Sequence, residues 1–130
     1  MAEVRYFSKS GNTKVIAEAV AVAAGTEAKD ISVPVEAGAD VLFLGGAVYA
    51  FHIAGKLKKF IKTLPPQPSG KVAVFSTAGN PSGASHLIKK QLVKRGITPI
   101  EREFHCVGEK VKDEAMQKQA ADFAREIVGQ

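Results

Sequence analysis

Along this chain, short apolar runs alternate with longer stretches in which apolar residues recur every three or four positions. Glu3 to Phe7 reads as a first strand. Asn12 to Ala24 follows as a helix, with Val15, Ile16, Ala19, Val20 and Ala23 on one face. Glu27 to Ser32 gives a second, edge-like strand, ended by Val33-Pro34. Val41-Leu42-Phe43-Leu44 and Val72-Ala73-Val74-Phe75 are uninterrupted apolar runs, as expected of strands covered on both faces. Between them, Ile53 to Leu64 places Leu57, Phe60, Ile61 and Leu64 at helical spacing, and the stiff Pro65-Pro66-Gln67-Pro68-Ser69-Gly70 connector closes it. Asn80-Pro81 is a cap and first-turn pair for a helix that reaches Arg95, with Gly96 as its stop. Thr98 to Val107 makes the last strand. Val111 to Val128 makes the closing helix, with Met116, Ala120, Phe123 and Ile127 on one stripe.

Five strands in strict alternation with four helices predict an α/β fold: a three-layer sandwich in which a parallel sheet carries helices on both faces. One connection is thin. Only Val33 to Ala39 lies between the second and third strands, too little for a crossover helix, so a tight loop or single turn is expected there. The 130 residues, 45% of them hydrophobic, suit one domain spanning 1–130 with a real core, and no stretch approaches the length of a membrane span. No repeats or internal linkers are evident. The opening residues lack the basic-then-apolar order of a signal peptide, so a cytoplasmic location is expected. The single cysteine, Cys106, excludes an intramolecular disulfide.

Candidate chemistry concentrates between the first strand and the first helix, in Ser8-Lys9-Ser10-Gly11-Asn12-Thr13. Three hydroxyls, a glycine that tolerates a tight turn and the N–H groups of a helix start can converge there on one dianionic phosphate, with Lys9 adding positive charge. The bland alternative is a serine-rich turn that merely caps the helix. The nucleoside-triphosphatase pattern Gly-x-x-x-x-Gly-Lys-Ser/Thr and the dinucleotide pattern Gly-x-Gly-x-x-Gly are both absent from this turn.

Ser/Thr-x-Ser/Thr-Gly-Asn-Thr at the first strand-to-helix turn resembles the FMN phosphate loop of the flavodoxin family, and the likeness extends over nearly the whole chain. It implies a five-stranded parallel sheet in the order 2-1-3-4-5. In sheets of that order, ligands sit beyond the carboxyl ends of strands 1 and 3, where the winding reverses. Two later segments occupy the places of the family's flavin-contacting loops: Gly45-Gly46-Ala47-Val48-Tyr49-Ala50-Phe51-His52 and Phe75-Ser76-Thr77-Ala78-Gly79-Asn80. The resemblance thus implies FMN contacts from Ser8, Lys9, Ser10, Gly11, Asn12 and Thr13, from Ala47, Val48, Tyr49, Ala50 and Phe51, and from Ser76, Thr77, Ala78, Gly79 and Asn80. Tyr49 is the candidate ring to stack on the flavin; burial beneath the next helix is the alternative for it and for Phe51. Ala50 departs from the glycine that many members carry, where a peptide flip favours the half-reduced flavin. Alanine resists that flip by roughly 1 kcal/mol.

The resemblance implies an FMN-binding electron carrier between redox protein partners, with no residue catalytic in the acid-base sense. A small FMN-dependent NAD(P)H:quinone-type oxidoreductase is the rival, and a fold that has lost its flavin and serves as a binding module is a third reading. Charge separates this chain from the family's acidic habit: 18 Lys+Arg against 13 Asp+Glu give a net charge of +5, which fits partners with an acidic docking surface. The densest group, Lys56, Lys58, Lys59 and Lys62, has no interleaved aromatic platform and reads as a solvated helix face, so neither nucleic acid nor a membrane is expected as a partner. A monomer or weak dimer is expected. His52, His86 and His105 have no metal-ligand spacing, and no metal is expected. His105 and Cys106, adjacent on a strand, should point to opposite faces, which makes Cys106 a packed residue rather than a thiol with a base.

Overall fold

The structure is a computed structural model; it describes residues 1–49, 52–65, 67, 69–78 and 85–129, the side chains of Val48, Tyr49 and His52 excepted. In chain order the elements are β1 (Ala2–Tyr6), α1 (Asn12–Ala24), β2 (Ala28–Asp30), β3 (Ala39–Tyr49), β4 (His52–Ile53), α2 (Gly55–Thr63), β5 (Ser69–Ala78), α3 (Ser85–Arg95), β6 (Glu103–Val107), a 3-10 turn (Gly108–Lys110) and α4 (Glu114–Val128). Five strands pair in parallel in the order β2-β1-β3-β5-β6, the 2-1-3-4-5 order expected, while β4 folds back antiparallel on the end of β3.

Strand alternation sorts the core into two halves. Val4, Phe43, Ala73, Phe75, Phe104 and Cys106 face α1 and α4, where they meet Ile16, Val20, Phe123 and Ile127. Leu42, Leu44, Val72 and Val74 face the other way, onto Leu57, Phe60 and Ile61 of α2 and Ile88 and Leu92 of α3. Central strands buried on both faces are apolar throughout for this reason.

The connection from β2 to β3 has no helix, and a buried arginine holds it. Arg5 in β1 is 2% exposed. Its Nε donates to the carbonyl of Val33 and its Nη2 to that of Pro34, both at 2.8 Å, and its Nη1 pairs with Glu3 at 2.6 Å. A cation with five fixed donors thus satisfies loop carbonyls that a crossover helix would have paired internally.

Several boundaries differ from the sequence expectation. β3 runs on past Leu44 to Tyr49, because Gly45 and Gly46 let the sheet's neighbours close over the strand: a Cβ at Gly45 would lie 2.0 Å from the Phe75 ring, and one at Gly46 would lie 2.4 Å from Leu57 Cδ2. β6 begins at Glu103, not Thr98. Pro99 has no N–H to offer a ladder, and only Ile100 N–H reaches β5, at the carbonyl of Val72 (2.9 Å). β2 spans only Ala28–Asp30, and β5 extends from Ser69 to Ala78, beyond its apolar run on both sides. α2 starts at Gly55, since His52 and Ile53 are taken up by pairing with β3. α4 begins at Glu114, where the carbonyl of Asp113 accepts from Met116 and Gln117; Val111 is tucked into the core just before it. The expected Asn80-Pro81 helix start lies outside the described residues, as do Pro66 and Pro68 of the connector.

Candidate functional site

The carboxyl ends of β1 and β3 are neighbours, tied by Phe7 N–H to the carbonyl of Gly45 (3.2 Å). Immediately after Phe7 the chain turns through residues 8–13 into α1. Gly11 is the N-cap with φ +93°, a left-handed conformation that glycine adopts without a steric cost, and no side chain caps this helix start. Ser8 Oγ accepts from Gly11 N–H at 2.9 Å, which closes the turn and leaves the Ser8 proton able to donate. Lys9 and Ser10 are exposed, the first turn of α1 has no acidic residue, and Lys14 is exposed beside it. Helix N–H groups without intrahelical acceptors, the positive end of the helix dipole and two nearby ammonium groups make this turn a cup for an anion.

Two members of the predicted cup look inward. Thr13 is buried, and its Oγ1 lies 2.8 Å from Thr77 Oγ1, a contact that pins α1 to the end of β5. Asn12 packs across the top of the sheet against the 3-10 turn: a Cβ on Gly108 would fall 2.8 Å from Asn12 Nδ2. The outward-facing part of the cup is therefore Ser8, Lys9, Ser10 and the backbone of Gly11 to Lys14.

In the second predicted segment, Ala47, Val48 and Tyr49 belong to the extension of β3, with Val48 opposite Ile53 and Tyr49 opposite His52. The side chains of Val48 and Tyr49, and Ala50 and Phe51 entirely, lie outside the described residues. In the third, Ser76, Thr77 and Ala78 end β5; Gly79 and Asn80 lie outside the described residues. The Ser76 and Thr77 hydroxyls turn into the fold on opposite faces of the sheet. The structure thus brings segments 8–13, 47–49 and 76–78 to one end of the sheet, and sends the side chains of Asn12, Thr13, Ser76 and Thr77 inward from it.

Ser76 leads to Ser85 and Glu103, on which the sequence raises no functional expectation, and to His105, which it presents only as a candidate metal ligand or base for Cys106. Its Oγ is 2.8 Å from Ser85 Oγ at the start of α3 and 3.0 Å from His105 Nδ1 on β6. Glu103, two residues from His105 and on the same face, pairs with Lys89 of α3 at 2.8 Å. Burial pushes the Glu103 carboxyl up, but hydrogen bonds from Lys89 and Ser85, with the Lys89 and His105 charges, outweigh this and hold it below the usual carboxylate range. The signal in the sequence was the polar alternation of Glu103 and His105. Only the register that sets Ser76 beside His105 turns it into a network. Cys106 faces the opposite core, as expected, and burial, then Asp113, pushes its thiol up.

A family model described as Flavodoxin domain matches residues 4–121. The chain belongs to the flavodoxin family. No sequence among the curated proteins matches it. Among solved structures of like fold, the flavodoxin of Megasphaera elsdenii in its two-electron reduced state is 23% identical, with 97% of this chain and 99% of that one covered at a TM-score of 0.73. Oxidised Flavodoxin 1 from Bacillus cereus is 18% identical over 98% of this chain and 97% of that one, at 0.76. An NADH:FMN oxidoreductase in its apo form is 14% identical over 98% and 88%, at 0.72. These identities speak to the fold. In this family member the anion cup stands at the place where the sheet reverses its winding. Among the described residues no helix is long and apolar enough to cross a membrane.

Proposed function

We propose that the chain, acting as one domain over residues 1–130, binds one FMN non-covalently and carries electrons between redox protein partners in the cytoplasm. The observation that carries this reading is the uncapped, left-handed Gly11 turn with its hydroxyls and lysines at the carboxyl end of β1, beside β3. Its residues fit a phosphate monoester: Ser8 and Ser10 hydroxyls and the N–H groups of the first turn of α1 donate, while Lys9 and Lys14 supply charge. Backbone at 47–51 and 76–80 would bracket the ring system, with Tyr49 as its stacking partner. When bound, the flavin supplies the redox chemistry; the protein binds, orients and shields it. The Thr13–Thr77 and Ser76–Ser85–His105 contacts point into the fold beneath the proposed site. They hold its walls at fixed spacing.

Comparing FMN with riboflavin tests the cup directly, by quenching of flavin fluorescence on mixing. Charge-assisted hydrogen bonds contribute roughly 1.5–3 kcal/mol each, so loss of the phosphate should weaken binding by about 100-fold or more. Equal affinities would overturn the assignment of residues 8–13. The rival, an FMN-dependent NAD(P)H:quinone-type oxidoreductase, is supported by the shared fold of the NADH:FMN oxidoreductase. Rapid NAD(P)H oxidation by the FMN-loaded protein alone would select it over the carrier.

A further inference from the structure

Of the 18 Lys and Arg residues, eight lie on two helices that pack on one side of the sheet. α2 carries Lys56, Lys58, Lys59 and Lys62, and α3 carries Lys89, Lys90, Lys94 and Arg95, with no acidic residue in either helix. Both pack on the same core half. On the opposite face, α1 and α4 carry Lys14, Lys118 and Arg125 against Glu18, Glu114, Asp122 and Glu126, so that layer is close to neutral. α4 also compensates itself through Lys118–Asp122 and Arg125–Asp122. Among the described residues, the only ion pair of the α2/α3 layer is Lys89–Glu103. Lys56, Lys59, Lys62, Lys90 and Lys94 are exposed. Arg95 keeps its charge while donating to the carbonyls of Lys62 and Leu64, which locks the ends of α3 and α2 together.

This layer also has a groove. Because the β2–β3 connection lacks a helix, a depression of about 440 Å³ opens between residues 30–32 and α2, floored by Phe7, Ile31 and Phe60 and rimmed by Lys56 and Lys59 on the α2 side and by the single carboxylate of Asp30 on the other. It begins at Phe7, next to Ser8, so its upper end adjoins the proposed flavin cup.

We infer that the α2/α3 layer and this groove form the docking face for an acidic protein partner, with an apolar side chain of that partner seated between Phe7, Ile31 and Phe60. The inference rests on the carrier reading and locates the surface that reading requires. A partner lying on α2 reaches the flavin end of the sheet, where transfer between cofactors needs close approach. Charge complementarity steers the encounter, and the apolar groove supplies the contact that charge alone does not. A membrane surface fits less well, since Val93 is the one exposed large hydrophobic of these two helices among the described residues. Nucleic acid fits less well too, because among the described residues neither helix presents an exposed Phe, Tyr or Trp for base stacking.

The test uses the full-length, FMN-loaded protein labelled with nitrogen-15 and, as probe, an oligoglutamate peptide with one central phenylalanine. Amide shifts confined to residues 30–35, 55–63 and 85–95, abolished by high salt, are expected. The charge reversal Lys56→Glu/Lys59→Glu should weaken peptide binding at least tenfold, whereas Lys112→Glu/Lys118→Glu should leave it within twofold. FMN affinity, measured on the same samples, should be unchanged in both variants. A wild-type protein that takes up no FMN would sink the carrier reading itself, and is distinguishable from failure of the docking face. The docking face is overturned by shifts centred on α1 and α4, by equal loss in both variants, by no binding, or by tighter binding to oligo-dT or phosphatidylserine vesicles than to the peptide at about 0.15 M salt.

Discussion

At the scale of single residues, the least replaceable positions of this chain are small. Gly45 has an ordinary strand partner on each side, in Tyr6 and Phe75, yet a Cβ there would meet the Phe75 ring at 2.0 Å. The ring lies in the α1/α4 core and cannot move aside without displacing its neighbours. Gly45→Ala should therefore destabilise the protein by about 1–3 kcal/mol, even though alanine is the better strand residue by backbone entropy. A urea titration with a lowered midpoint and unchanged slope is the expected result; an unchanged midpoint would show that β3 has room the packing denies. Gly11 is a glycine for a different reason, its positive φ, and a Cβ there would meet nothing within 4 Å. Spacing alone tells the two kinds apart poorly: both follow an apolar run, yet Gly45 lies inside β3 and only Gly11 is in a turn.

At the scale of elements, the molecule solves two problems with polar side chains, one buried and one partly exposed. Arg5 replaces the helix missing between β2 and β3. Arg5→Met would leave the Val33 and Pro34 carbonyls without their donor and Glu3 without its cation, at a cost of about 3 kcal/mol. Limited proteolysis should then cut first within residues 31–38, and cleavage elsewhere would count against the strap. The second device joins α3 to β6 through Glu103. Its carboxyl titrates below its ordinary value in the folded protein, so its stabilisation is fully present above the ordinary glutamate range and is lost as pH falls through the lowered value. Glu103 is partly exposed, so solvent screens the pair and Glu103→Gln should cost only about 1 kcal/mol at neutral pH. Thermal unfolding of both proteins should show that gap closing as pH falls below the ordinary glutamate range. A gap that widens in acid would contradict the assignment.

At the scale of the whole molecule, three segments far apart in the chain meet at one end of the sheet, so a ligand there ties β1, β3 and β5 together. Free FMN at about 100 times its dissociation constant should raise stability by about 2.7 kcal/mol, or roughly 10 °C in Tm for a domain of this size. Riboflavin at the same concentration should raise it far less. A Tm indifferent to FMN, measured by calorimetry, would remove the cofactor from the proposal. Charge belongs to this scale as well. Read along the chain, the lysines are dispersed; in the fold, the excess is concentrated on α2 and α3 while α1 and α4 balance.

The sequence by itself determined the alternation of strands and helices, the bounds of α1, the absent crossover helix and the turn at residues 8–13. Each of these is written in local periods and local turn chemistry, which act over a few residues and need no partner. The resemblance carried by that turn also implied the strand order found. Tertiary structure alone decided how far β3 and β5 extend, that Thr13 and Ser76 spend their hydroxyls inside the fold, and that Ser85, Glu103 and His105 belong to one network. It also decided that the basic residues of α2 and α3 share a face. Those outcomes depend on strand register and on which side of the sheet each crossover falls, and both are fixed by contacts between residues dozens of positions apart.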